Sequence, residues 1–136
     1  MAKHLLEVEY DYDFDLIGIS CHLREYRLCW LLNNVLHINL VRDEAGAETP
    51  VGQFVLFNDE CKETRTIIHL LSNRGPDGWL VPEQRQADYL LMLRENARWN
   101  VQDLIAEIRQ QSQILTAFSI DPIGLKSREN LLLHDL

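Results

Sequence analysis

A succession of strand-like segments joined by turn signals, not by helices, constrains the fold of this chain more than any other feature. Residues 53–57, Gln53-Phe54-Val55-Leu56-Phe57, are rich in strand formers, and Asn58-Asp59-Glu60 is a turn signal. Residues 64–71, Thr64-Arg65-Thr66-Ile67-Ile68-His69-Leu70-Leu71, form the next strand-like run, so the two predict a hairpin. Asn73-Arg74-Gly75-Pro76-Asp77-Gly78 is a strong loop, and Asp88 to Leu93 is the following strand. Strands that mostly follow one another directly pair antiparallel, because parallel neighbours need a long crossover.

Upstream, residues 5–16 alternate. Leu6, Val8, Tyr10, Tyr12, Phe14 and Leu16 share one parity, and Glu7, Glu9, Asp11, Asp13 and Asp15 share the other. A period of two places the first set on one strand face and the five carboxylates on the opposite face. Aspartate is a poor strand former, so a break is expected near Asp11–Asp13, with residues 16–19 continuing as a short apolar strand. Residues 38–42 begin another strand, and residues 43–50 read as a loop. Ile114 to Ile120 is a strand closed by Asp121-Pro122, since proline cannot donate to a ladder.

Two segments have helical periodicity. Residues 22–35 place Leu23, Tyr26, Trp30 and Asn33 on one side, with Cys29 and Leu32 adjoining and Leu28 and Leu31 widening the apolar surface. Such a helix is buried on more than one face or meets a partner, and Trp30 is expected in the core. Asn33-Asn34 suits its C-terminal stop. After Asn100, a good N-cap, Val101, Leu104, Ile105, Ile108 and Ser112 form a second stripe. The expectation is a single α+β domain over residues 1–136, with one mainly antiparallel sheet, two helices packed on one face, and residues 122–136 as a C-terminal docking tail.

At 136 residues the chain can bury a core of its own without metal or disulfides. No apolar run approaches the roughly 20 residues of a membrane helix, and Met1-Ala2-Lys3-His4 does not open a signal peptide. The net charge of -8 argues against nucleic-acid binding, which needs basic patches to displace counterions. Cys21, Cys29 and Cys61 are too widely spaced for a zinc ribbon or a thioredoxin-like motif. Cys21 and Cys29 read as buried, inert thiols and Cys61 as more exposed, which fits a reducing cytoplasm. His4, His22, His37, His69 and His134 include no i, i+4 pair for zinc. Asp11-x-Asp13-x-Asp15 begins like a calcium loop, but Leu16 and His22 stand where glycine and glutamate are required. Gly75-Pro76-Asp77-Gly78 has too few backbone donors for a phosphate and precedes no helix. No catalytic, cofactor-binding or metal-binding residue is assigned.

Val81-Pro82-Glu83-Gln84-Arg85-Gln86-Ala87-Asp88-Tyr89 resembles the signature of the bacterial IPExxxVDY proteins. Val81 stands for the isoleucine and Ala87 for the valine, while Pro82, Glu83, Asp88 and Tyr89 match. Further likeness lies in residues 14–19, 26–33, 71–73 and 120–131. The resemblance implies a small soluble bacterial protein and brings no catalytic residue with it. The residues themselves leave two readings. Glu83 and Asp88 near the Tyr89 phenol could do acid–base work in a small-ligand-binding or enzymatic domain. Alternatively, Glu83 accepts backbone N–H bonds, Asp88 caps the strand entrance, and Tyr89 sinks its ring into the core. Trp79 and Trp99 lie near loops and are expected partly exposed, where one would contact a protein partner or a second copy. The leading expectation is a non-enzymatic binding or adaptor module of the cytoplasm, working with a protein partner or as a homodimer, without nucleic acid, membrane or cofactor.

Overall fold

The computed structural model describes residues 12–133. Its main sheet has six strands: β1 (Asp15–Cys21), β2 (Val41–Arg42), β5 (Leu56–Cys61), β6 (Thr66–Ser72), β9 (Tyr89–Asn96) and β10 (Ile114–Ile120). They run in the order β10-β1-β9-β6-β5-β2, with every neighbouring pair antiparallel. Two short hairpins lie outside it, β3 (Ala47–Thr49) with β4 (Gly52–Phe54) and β7 (Arg74–Gly75) with β8 (Gly78–Trp79). The helices are α1 (Glu25–Leu36) and α2 (Val101–Arg109). The fold is the expected α+β arrangement with a mainly antiparallel sheet. No described helix is long and apolar enough to cross a membrane.

Period-two alternation divides the sheet into two apolar faces. Ile17, Ile19, Ile68, Leu70, Leu91 and Leu93 pack with Leu28, Leu32, Leu104 and Ile108, so both helices cover the same face. Leu16, Leu56, Leu71, Leu90 and Met92 face the other way, beneath Phe54, Leu80, Val81, Leu125 and Leu131. Covering both faces explains why the central strands read as continuous apolar runs such as Leu90-Leu91-Met92-Leu93, each buried. The second cover is the hairpins, the 80–88 loop and the C-terminal 3-10 turns Pro122–Gly124 and Arg128–Leu131. Gly18 has a steric role there: a Cβ would sit 2.7 Å from the Phe118 ring lying over it.

Several local expectations are corrected. Asn58-Asp59-Glu60 does not turn. It continues β5, with Asn58 opposite His69 and Glu60 opposite Ile67, and the turn follows at residues 62–65, where Arg65 takes φ 52°. Cross-strand pairing overrides the turn propensity of these residues. The 53–57 run is split between β4 and β5, and the 43–50 loop contains β3. Helix α1 starts later than expected and runs past Asn33-Asn34 to Leu36, where left-handed His37 returns its N–H to the Asn33 carbonyl. Asn33 instead clamps Leu40, accepting its N–H at 2.7 Å and donating to its carbonyl at 3.1 Å. Trp30 is 64% exposed rather than in the core, because the buried stripe of α1 is Leu28, Cys29, Leu31, Leu32 and Leu36. Helix α2 begins as expected, with the Asn100 side chain accepting the Asp103 N–H, but ends at Arg109 and leaves Ser112 exposed. The alternating segment with Glu7, Glu9 and Asp11, together with His4 and His134, lies outside the described residues. Of that acidic set, Asp13 is exposed and Asp15 opens β1.

Candidate functional site

The signature segment forms a loop wound around one buried side chain. Asn73 follows β6 directly and has no solvent exposure. Its Oδ1 accepts the Val81 N–H at 2.7 Å, and its Nδ2 donates to the carbonyls of Gln84 at 3.0 Å and Ala87 at 2.8 Å. Its backbone donates to the Asp88 carbonyl and accepts from the Leu80 N–H. A primary amide, with an acceptor on one side and two N–H donors on the other, can bridge unlike groups in this way. Pro82 opens the 3-10 turn Pro82–Gln84, where the missing N–H costs nothing, and Val81 and Ala87 are buried at either end.

The three polar signature residues reach two places, Glu83 the C-terminal turns and Asp88 and Tyr89 the stretch over residues 21–23. Glu83 receives the Ser127 hydroxyl at 2.6 Å and the Ser127 N–H at 2.9 Å, binding the C-terminal segment. Partial burial pushes its carboxyl up, but the Ser127 bonds and nearby backbone N–H groups outweigh this and leave it below its ordinary value. Asp88 accepts the Cys21 N–H at 3.0 Å, at the point where the β1–β10 register shifts. Tyr89 donates its hydroxyl to the Leu23 carbonyl at 2.6 Å, ahead of α1. Burial raises the phenol's pKa, with Cys21, Glu25 and Asp88 adding to it, so it remains a donor. The loop is therefore a junction of β1, α1, β6 and the C-terminal turns, with each polar group engaged in holding a neighbour.

A second polar cluster was missed in the sequence. His69 is 2% exposed, on the sheet face away from the helices. Arg94 Nε donates to its Nε2 at 2.8 Å, and arginine has no acceptor, so the ring proton sits on Nδ1 and is donated to Asn58 Oδ1 at 2.6 Å. Asn58 passes the chain on to Asp43, which also accepts the Ala45 N–H. Burial, and then the Arg94 charge, depress the His69 pKa to about 4, so the ring is neutral near pH 7. Both ring nitrogens are occupied and no nucleophile adjoins them among the bonds described. The available signal was a histidine inside an apolar strand, which is more often a satisfied core residue than a reactive one.

The remaining reactive groups stay apart. Burial raises the thiol pKa of Cys21 and Cys29, while the Thr64 hydroxyl and backbone lower that of Cys61 in its turn. All three are free. Among the described residues no three His, Cys, Asp or Glu side chains gather as a metal set. Trp79 is half-buried with Arg74 and Arg85 over its ring at 5.7 and 5.6 Å, and Trp99 is half-buried under Arg98 at 4.3 Å. Arg98 in turn donates to the Leu36 carbonyl at 2.8 Å.

The exposed aromatic surface lies on α1 instead. Tyr26 is 60% exposed and Trp30 64%. Four residues apart on a helix, they stand on one face, and with Arg27 they frame a shallow hollow of about 390 Å³. Comparison with known proteins adds no relative: no family model matches the chain, and no curated protein matches it.

Proposed function

We propose that this chain is a non-enzymatic interaction module that docks a protein partner through the outer face of α1. The observation that carries the reading is the exposure of Tyr26 and Trp30 on a helix whose opposite face is fully packed. Two aromatic side chains exposed to this degree present roughly 250 Å² of mostly apolar surface. That approaches the few hundred Å² of the largest apolar patch an ordinary monomer exposes, which is often a binding site. Arg27 beside them selects the partner's chemistry, an apolar side chain flanked by a carboxylate. An enzymatic reading would need Glu83 in one cavity with Asp88 and Tyr89, but Glu83 is bonded to Ser127 of the C-terminal segment while Asp88 and Tyr89 are bonded to Cys21 and Leu23. The charge of -8 supports a partner other than nucleic acid.

We also place the chain among the IPExxxVDY proteins, in the bacterial cytoplasm. What supports the first is that Val81, Pro82, Glu83, Asp88 and Tyr89 all hold one junction, as a signature of fold would. Three free cysteines support a reducing compartment. The test is capture from lysate on the wild-type chain and on a Tyr26→Ala/Trp30→Ala chain, followed by purification and titration of each captured protein. Loss of two aromatic anchors should raise Kd at least tenfold. Equal affinity for both chains would refute docking at α1.

A further inference from the structure

We infer that β10 is a self-pairing edge, through which two copies of this chain join their sheets around a twofold axis. The two edges of the sheet are unequal. Strand β2 is only two residues long, with exposed Arg42 followed by Asp43, and such short charged edges resist pairing. Strand β10 has seven residues and, among the described residues, pairs on one side only, with β1. From Gln113 to Ile120 there is no charge and no proline. Leu115 is 61% exposed, Ser119 is exposed, and Thr116 and Phe118 are half-exposed. The register with β1 is regular from Thr116 to Ile120, and its one irregularity is a bulge at Leu115, which is skipped between the pairs Ser20–Thr116 and Cys21–Ile114. Alternate residues of a strand turn their N–H and C=O groups to opposite sides, so β10 presents a row of donors and acceptors away from β1.

A second copy fits this edge. Antiparallel pairing centred on Ala117 sets Thr116 opposite Phe118 of the other copy, a favourable β-branched–aromatic pair. It sets exposed Leu115 opposite exposed Ser119, and places the small Ala117 on the axis. Helix α2 lies in the same apolar cluster as Ile114 and Ala117, so the twofold makes the two α2 helices antiparallel on one face. Asp103 in the first turn of one then heads toward Arg109 in the last turn of the other. Like net charges of -8 oppose the pairing at long range, so added salt strengthens it.

The register prescribes its own test. The wild-type chain, measured by light scattering after size exclusion, is expected at twice the 15.9 kDa of one chain. Leu115→Lys/Ser119→Lys sets lysine against lysine at both crossings and should weaken the dimer at least tenfold. Leu115→Lys/Ser119→Glu sets lysine against glutamate and should restore it. Both positions are exposed, and circular dichroism checks that each variant is folded. Amides of residues 115–119 should exchange more slowly as wild-type concentration rises. A wild-type monomer at about 1 mM overturns the inference, as does a Lys/Lys dimer equal to wild type. A Lys/Glu chain as weak as Lys/Lys overturns the register. A dimer dissociated by Trp30→Ala but not by Lys/Lys moves the contact to α1 and overturns the edge pairing.

Discussion

Replacing Asn73 with alanine tests whether the signature loop is held from within. The change removes one acceptor and one doubly used donor, so the Val81 N–H and the Ala87 carbonyl lose their partners together, while the Gln84 carbonyl keeps the Ala87 N–H. A buried backbone group left unpaired costs about 1–3 kcal/mol, and water entering the space left by the amide favours the low end. Two groups give about 2 kcal/mol, a sizeable part of the 5–15 kcal/mol typical of a domain. At roughly 4 °C per kcal/mol for a chain of this size, Tm should fall by about 8 °C. Urea unfolding followed by tryptophan fluorescence and circular dichroism measures the loss directly. Asn73→Asp is the sharper companion. It keeps the shape and the acceptor for Val81, but turns a carboxylate oxygen toward two carbonyls, and should be at least as harmful as alanine. A loss below about 1 kcal/mol for alanine, or an aspartate variant as stable as wild type, refutes the hub.

Four further outcomes are expected. His69 has a folded-state pKa of about 4 against 6.5 unfolded, so its stability contribution is complete above pH 6.5 and is lost as pH falls toward 4. The full loss is about 3 kcal/mol, and a His69→Gln chain should show a flatter pH dependence in urea titrations over that window. Gly18→Ala should cost about 1–3 kcal/mol through the Phe118 ring, and clearly less in a Phe118→Ala background, as a double-mutant cycle would read. Glu83→Ala should cost no more than about 1 kcal/mol, since the site is exposed, but should speed proteolysis at Arg128 by releasing Ser127. Tyr26→Ala/Trp30→Ala should leave the unfolding free energy from urea titration within about 0.5 kcal/mol of wild type, and a larger drop would make these side chains part of the core.

How much of the molecule was legible depends on how far each determinant reaches along the chain. Strand β10 falls on the expected Ile114–Ile120, because an apolar run and the proline after it are both local. The Asn100 cap lies three residues from its partner and was equally readable. Trp30 was misplaced because α1 is apolar nearly all round, and periodicity alone cannot say which of two apolar faces meets the sheet. Asn58-Asp59-Glu60 misled for the opposite reason, since its turn propensity is local and the ladder that overrides it is not.

The candidate site shows the same division. Sequence marked residues 81–89 as a proline-led loop entering a strand, and named Glu83, Asp88 and Tyr89 as its polar groups. It left open whether they react or anchor, because their partners lie 44, 67 and 66 residues away. Asn73 looked like one more loop residue until the fold wrapped the loop around it. His69 had no visible partner until strand register brought Asn58 and Arg94 to its ring. Sequence by itself determined the antiparallel α+β plan, through the period of its apolar residues and the turns between them. Only the tertiary structure decided which polar groups meet and which aromatic side chains face water, because hydrogen-bond partners and exposure depend on distances across the sheet that local periodicity does not encode.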